Sequence, residues 1–252
     1  MFEHDIARNA FFKRRRAGRK KPSTGVSWFA RLVRWLCLGV FSVIAAVFLL
    51  ILLLRWLPVP TSAFILSHYF DGGRPEYQWV SWSDISGQMP IAVVAAEDQR
   101  FPLHRGLDFD AIADAMAANQ RRSSPRGGST ISQQVAKNLF LWPGKSWFRK
   151  GLETWLTLTI EVCWPKQRIL EVYLNIAQFG PSTFGVGAAS KRYFHIPPAR
   201  LTGHQAALLA AVLPNPKRYA LAPPSPYVRQ RAAFIQEQVR QLGGPDYLKN
   251  IR

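Results

Sequence analysis

The chain has 252 residues, 48% of them hydrophobic and 19% charged, with 33 Lys+Arg against 15 Asp+Glu for a formal net charge of +18. So apolar a composition excludes a disordered chain, and the length holds one substantial core plus a segment of another kind, not two full enzyme domains. Two cysteines, Cys37 and Cys163, are too few for a disulfide scaffold or a thiolate zinc site.

From Leu36 to Leu54 no residue is charged, and only Gly39 and Ser42 fall outside the apolar set. A spanning helix needs roughly 20 such residues. Arg31, Arg34 and Trp35 before the run and Arg55 and Trp56 after it suit snorkelling and interfacial anchoring. A cleaved secretory signal would have a shorter apolar region and a small-residue cleavage site, whereas RWLPVP follows here. The expected organisation is a basic cytoplasmic tail (1–34), a transmembrane anchor (35–56), a connector (57–88) and an external domain (89–252). The tail carries ten Lys+Arg against two Asp+Glu, which sets the orientation by the positive-inside bias. An outward-facing basic domain tied to a bilayer points to an anionic partner near the headgroups, and the anchor argues against nucleic acid.

Residues 57–88 are rich in Pro, Gly and aromatics and show no sustained period. Pro90 suits a first helical position, and IAVVAAED reads as a short buried helix. Residues 107–119 place Phe109, Ile112, Ala113 and Met116 on one face. RRSSPRGG is a loop. Leu152, Trp155, Leu156, Thr159, Ile160 and Cys163 recur at helical spacing up to Pro165, and Ile169, Leu170, Tyr173 and Leu174 continue in a second helix. A small-residue helix over 204–213 precedes a last one with Val228, Ala232, Ile235, Val239 and Leu242 on one stripe, closed by Gly243-Gly244. With no strand pattern of weight, the external domain is predicted all-α.

Three clusters carry chemistry. In EDQRFPLHRG, Glu97 ends an apolar helix, where the negative dipole end and partial desolvation both disfavour its charged form, as a general base near neutrality requires. Asp98, Phe101 and His104 follow it, with no metal-ligand spacing around His104. In GGSTISQQVAKN, Thr130 and Gln133 form a capping box, so a helix starts there, and its free N–H groups favour an anion. Thr130, Gln134 and Lys137 share one face beside Ser129, which makes a candidate diphosphate cradle without P-loop spacing. In RKGLE, Arg149 and Glu153 sit four apart, with Lys150 between them. A second carboxylate and further cations, beside Glu97 and Lys137, suggest a two-carboxylate glycosyl-transfer site.

These stretches resemble the signatures of the peptidoglycan glycosyltransferases (glycosyltransferase family 51), in particular the monofunctional biosynthetic branch. EDQRFPLHRG, GGSTISQQVAKN and RKGLE are similar to the first three, KQRILEVYLNIAQFG to the fourth and GVGAASKRYF to the fifth. The likeness runs in family order from about residue 75 to 245. Gln178 and Gly187 depart from it, standing where Glu is common in that branch.

The resemblance implies a lysozyme-like, all-α domain facing the bacterial periplasm from the inner membrane, single-pass with its N-terminus cytoplasmic. Such an enzyme polymerises lipid II into glycan strands. The MurNAc of a growing strand, linked to undecaprenyl diphosphate, is attacked by the GlcNAc 4-hydroxyl of lipid II with inversion. By correspondence Glu97 is the general base and Glu153 the second catalytic acid. Lys137, Arg149 and Lys150 hold the donor diphosphate, with Ser129, Thr130 and Gln134 beside them. Asp98, Phe101, His104 and Asn175 support the site. Many relatives use a divalent ion; no oxygen cage is legible here, so any Mg2+ would be bound mainly by substrate. Expected partners are lipid II, the growing strand, membrane lipid and other cell-wall synthesis proteins.

The competing reading is a lysozyme-like lytic enzyme, which would have no use for the diphosphate cations; a third is a non-catalytic recruiter. The S-x-x-K and K-T-G signatures of transpeptidases are absent from the sequence. Leu139, Phe140, Leu141, Trp142, Trp147 and Phe148 surround a Pro-Gly turn and are expected to dip into the outer leaflet beside the site.

Overall fold

The computed structural model describes residues 28–119 and 128–251. The basic tail up to Ser27 and most of the RRSSPRGG loop lie outside the described residues. The fold is all-α, as expected. Its helices are α1 (Trp28–Leu54), α2 (Ala63–Phe70), α3 (Gln88–Glu97), α4 (Phe109–Asn119), α5 (Ile131–Phe140), α6 (Trp147–Cys163), α7 (Lys166–Ile176), α8 (Gly185–Phe194), α9 (Gly203–Val212) and α10 (Pro226–Gln241). Two short strands, β1 (Glu76–Tyr77) and β2 (Thr183–Phe184), pair in parallel.

Helix α1 starts ahead of the apolar run and takes in Arg31 and Arg34. Its 27 residues, at roughly 1.5 Å each, are long enough to cross a bilayer, and an 18-residue window reaches a mean hydropathy of 3.0. Among the described residues, 28–47 belong to one unit and those from Phe48 onward form a second.

Its centre is built from two helices with no polar side. All residues from Met89 to Ala95 in α3 and from Ala206 to Val212 in α9 are buried, the situation of a helix hydrophobic all round. Helix α10 covers both, burying Val228, Ala232 and Ile235. Helices α5, α6 and α7 pack against one another beside them, and α8 packs on α7. The segment 57–88 holds α2, β1 and a 3-10 turn at Trp82–Asp84. It is clasped by α7: Asn175 accepts from Val80 N (2.8 Å) and donates to Val80 O (2.9 Å), and Glu171 accepts from Trp82 N (2.7 Å). Gly187, in α8, has no room for a side chain, since a Cβ there would lie 2.6 Å from Gln78 O.

The ends of α1 and α6 cap each other. A helix leaves its last four carbonyls unpaired. Those of α1 accept from Trp164 Nε1 (to Ile51 O, 2.7 Å) and from Arg168 Nη2 (to Leu54 O, 2.7 Å). In return Arg55 donates to Cys163 O at the end of α6 (2.6 Å).

Two helices depart from the face their periodicity suggests, α4 at Phe109 and Ala113 and α6 by a partial rotation. In α4 Phe109 is 73% exposed and Ala113 is exposed as well. Polar contacts at its start set its orientation: Asp108 caps Ala111 N, and Arg100 pairs with Asp108 and Asp110. In α6 the buried set is Arg149, Glu153, Leu156, Thr157, Ile160 and Cys163. Leu156, Ile160 and Cys163 are buried as their spacing suggests, but Trp155 joins Trp147, Leu158 and Val162 in an exposed apolar stripe, and Arg149, Glu153 and Thr157 take inward places.

Candidate active site

Glu97 ends α3, and the next residue, Asp98, leaves the helix with an extended φ of −160°. Asp98 is buried and fully used. Its Oδ2 accepts the backbone N–H of Ile131 (2.9 Å), and both oxygens lie 3.0 Å from His104 Nε2. His104 Nδ1 accepts from Gly106 N (3.1 Å), which leaves Nε2 as the nitrogen that donates to Asp98. Gly106 takes φ +88°, and a Cβ there would lie 2.9 Å from Thr157 Cγ2. Its carbonyl accepts the Thr130 hydroxyl (2.6 Å). Phe101, fully buried, packs edge-on to His104 with Lys166 Nζ 4.5 Å from its ring centroid.

This network takes up one residue expected at a phosphate cradle. The capping box of Thr130 and Gln133 forms as the spacing suggests. The anion at the N-terminus of α5, however, is the chain's own Asp98, and Thr130 is 2% exposed with its hydroxyl spent on Gly106. Thr130 is therefore placed as a structural cap and not as a ligand contact, whereas Ser129 is exposed.

One turn into α5, Gln134 donates to Glu97 Oε2 (3.0 Å) and accepts from Tyr173 OH (3.1 Å). Burial pushes the Glu97 carboxyl above its usual range; Gln134, Arg231 and Lys137 oppose that shift without cancelling it. Tyr173 is fully buried and its phenol is held protonated by desolvation, so it acts as the donor that orients the Gln134 amide. Lys137 is partly buried, and burial lowers its ammonium below the usual lysine value. It feels Glu153, Arg149, Lys150 and Glu97 together, and its Nζ lies 5.6 Å from the Phe64 ring centroid.

Helix α6 supplies the remaining charges. Glu153 is 3% exposed and holds a cation on each oxygen: Arg149 Nη1 at 2.9 Å and Lys150 Nζ at 2.5 Å. The Arg149–Glu153 pair that reads as a weak surface contact in the sequence is thus buried, with the half-exposed Lys150 on its outer side, a different energetic case. Arg149 Nε is buried with no partner. Asn175 is fully buried in its clasp on Val80, a supporting position.

Sequence reasoning missed Arg231. It lies on α10, and its Nη2 stands 3.8 Å from Glu97 Oε1. Nothing local marks it, because the contact spans more than half of the chain. Two cavities, of about 520 Å³ between Gln88, Gly203, Gln236 and Pro245 and about 490 Å³ between Tyr77, Ala188, Lys191 and His195, are lined by none of the site residues. Among the described residues no group of three or more His, Cys, Asp or Glu is placed to hold a metal. The donor set does not fit a protein-held divalent ion either: the cluster is dominated by cations, Glu153 is saturated by two of them, and Asp98 is committed to α5.

A family model described as transglycosylase matches residues 65–240, a span that begins inside α2. The chain is 49% identical over 231 residues to the biosynthetic peptidoglycan transglycosylase of Pseudomonas aeruginosa, covering 89% of this chain and 98% of that one. It is 57% identical over 199 residues to the protein of the same name from Salmonella enteritidis, covering 76% and 82%. It is 48% identical over 229 residues to that of Stutzerimonas stutzeri, covering 88% and 92%.

Proposed function

The chain belongs to the transglycosylase family and is an enzyme of the biosynthetic peptidoglycan type, and from that premise we propose that it polymerises lipid II by inverting transfer at the Glu97–Lys137–Arg149 cluster. The observation that carries the reading is the pairing of a carboxylate of raised proton affinity, fixed by Gln134, with a lysine that also feels Arg149, Lys150 and Glu153.

Gln134 occupies Glu97 Oε2, so Oε1 is the oxygen that takes the proton of the incoming GlcNAc 4-hydroxyl. That hydroxyl oxygen bonds to the anomeric carbon of the donor MurNAc from the face opposite the diphosphate. The anomeric C–O bond breaks, and its electron pair leaves with undecaprenyl diphosphate, turning an α linkage into β-1,4. The leaving group gathers negative charge, and Lys137, Arg149 and Lys150 stabilise it electrostatically. Glu153 acts through its surroundings: both its oxygens hold cations, so it organises the charge that meets the diphosphate. Any divalent ion would travel with the substrate diphosphate.

Helix α1 is read as a single-pass anchor with the tail cytoplasmic and the domain periplasmic. The exposed stripe of α6, with Trp142 and Phe148, is read as facing lipid, which keeps the polyprenyl tail in the bilayer while its diphosphate reaches Lys137. Incubating the purified full chain with lipid II and, separately, with isolated sacculi tests the reaction. New glycan strands from lipid II, lost in Glu97→Gln, are expected; muropeptides released from sacculi without new strands would establish the lytic alternative.

A further inference from the structure

Helix α6 carries a second inward carboxylate that the proposed reaction does not use. Glu153, Thr157 and Glu161 stand at i, i+4 and i+8, along the side of α6 that meets α5. Glu153 acts at the Lys137 end of that contact. At the other end, Glu161 Oε1 accepts from the Ser132 hydroxyl, in the first turn of α5, and from Lys166 Nζ, at the start of α7, at 2.8 Å. The side chains of Glu161 and Lys166 are 7 and 16% exposed, and Ser132 is fully buried.

Two further contacts tie this group to the loop that follows Glu97. Gly106 lies against the stem of Glu161, where a Cβ would be 3.0 Å from Cγ, and its carbonyl holds the Thr130 hydroxyl (2.6 Å). Lys166 Nζ lies 4.5 Å from the ring centroid of Phe101, which packs on His104, the partner of Asp98. Asp98 takes the backbone N–H of Ile131, and Glu161 takes the next side chain, Ser132. The first turn of α5 is thus held by two carboxylates from two directions. Gln134, two residues beyond Ser132, donates to Glu97 Oε2 (3.0 Å).

Taking the proposed reaction as the premise, we infer that Glu161 is a positioning residue for the general base: through Ser132 it sets the rotation of the first turn of α5, and with it the reach of the Gln134 amide to Glu97. It touches no substrate. The bond from Ile131 N–H to Asp98 runs along the helix axis and by itself leaves the turn free to rotate about that axis. Ser132 and Gln134 project about 200° apart, at roughly 100° per residue, so holding Ser132 to α6 turns Gln134 toward α3. Lys166 supplies the counter-charge from α7. Desolvation offsets most of the attraction in a buried ion pair, so this one contributes position more than stability.

The test uses the full-length protein in liposomes with lipid II, following kcat, KM and their pH dependence. Ser132→Ala removes the one bond and leaves the Glu161–Lys166 pair. It is expected to lower kcat about tenfold, the scale of one lost hydrogen bond to a charged group, with the lipid II KM unchanged. Glu97 is faced by Gln134 and Lys137 from α5, by Arg231 from α10, by Tyr173 from α7 and by its neighbour Asp98. The Gln134 bond favours the charged carboxylate, so its loss moves the acidic limb of kcat to higher pH. Glu161→Leu with Lys166→Met, an apolar pair that needs no counter-charge, should repeat both effects and provides the answer if Ser132→Ala does not fold. Glu161→Gln with Lys166→Met keeps an oxygen for Ser132 and should restore kcat and the acidic limb. A merely structural role would lower kcat by the same factor at every pH, in step with the urea midpoint. An unmoved acidic limb, an unchanged kcat, a KM that rises as kcat falls, or no rescue by the Gln variant overturns the inference. Continued polymerisation by Glu97→Gln would instead remove the premise, whatever Glu161 does.

Discussion

Asp98 Oδ2 accepts the backbone N–H of Ile131 at 2.9 Å, so the carboxylate beside the proposed base caps the helix that carries Gln134 and Lys137. Two motifs separated by more than thirty residues are thereby one structural unit. His104 is its third member, donating to Asp98 while accepting from Gly106.

Replacing Asp98 should therefore disable the enzyme without touching a reacting atom. Asp98→Ala strands two buried donors, Ile131 N–H and His104 Nε2–H, and removes the anion from a helix N-terminus. The expected loss is about 2–4 kcal/mol, measured as a lower urea midpoint at unchanged slope. Polymerisation should fall steeply even at temperatures where the variant is folded, because the first turn of α5 no longer fixes Gln134. An unchanged midpoint would show that the bond contributes nothing.

The rate profile with pH should be a bell. On the acid side, Glu97 must be ionised to accept a proton, and burial raises its pKa, so activity falls at a higher pH than for an ordinary carboxylate. On the alkaline side, burial lowers Lys137, so its charge is lost before that of an exposed lysine. Linkage gives the sign for stability. A carboxyl whose folded value is raised binds more protons in the folded state, so its contribution to stability falls as pH rises from the unfolded value through the folded one. Glu97→Gln removes that unfavourable ionisation, and its melting temperature at neutral pH should equal or exceed that of the wild type while polymer formation disappears. A clear drop in melting temperature would contradict the burial argument.

The parts of the site legible in the sequence are the local ones. The Thr130–Gln133 box and the Arg149–Glu153 spacing depend on neighbours three or four positions away, and both form. Glu97 was visible because an apolar run without periodicity, IAVVAA, ends on it. Asp98 at Ile131 and Arg231 at Glu97 were hidden because helix packing, not sequence distance, brings them together. The partial rotation of α6 away from its apolar spacing has a different reason. Apolar spacing identifies a buried stripe only where the alternative is water, and here Trp147, Trp155 and Val162 point away from the core while Glu153 and Thr157 point in.

Glu153 separates stability from chemistry. Glu153→Ala leaves Arg149, 9% exposed, beside Lys150 with no counter-charge. Breaking one side of a buried pair costs about 3–5 kcal/mol, readable as a shifted denaturation midpoint. Arg149→Met combined with Glu153→Leu should recover most of that stability, because an apolar replacement needs no partner. It should not recover polymerisation, because Arg149 no longer meets the diphosphate and Lys150 has lost the carboxylate that positions it. Recovery of activity in the double variant would exclude both side chains from the reaction.

Where the anchor is cut should matter as much as whether it is cut. Ile51 is fully buried, and Ile51 O and Leu54 O accept from Trp164 and Arg168. A chain starting at Pro58 strands those donors and exposes the pocket left by Ile51, at a cost of about 3–6 kcal/mol relative to one starting at Phe48. Urea unfolding of the two fragments measures the difference. Coincident transitions would mean that the last turns of α1 belong to the anchor alone.

The fragment starting at Phe48 also tests the apolar stripe. Trp142, Trp147 and Phe148 are 51, 93 and 73% exposed, and Val162, on the same side of α6 as Trp147, is 85% exposed. Leu139 and Leu141, from the same stretch, are instead buried at 7 and 4%, so only the aromatic half of the expected membrane loop is available. A contiguous exposed apolar surface on a soluble domain is unfavourable unless something covers it. Lipid is the cover that the proposed reaction requires. In flotation with vesicles, the Phe48 fragment should bind, and Trp147→Ser with Phe148→Ser should reduce its partitioning about tenfold or more, given roughly 1.5–3 kcal/mol for each large side chain buried. Because both residues lie outside the core, the melting temperature should stay within about 1 °C of the parent, as for surface substitutions. Undiminished flotation would move the membrane contact to another face, and with it the route by which the lipid-linked donor reaches Lys137.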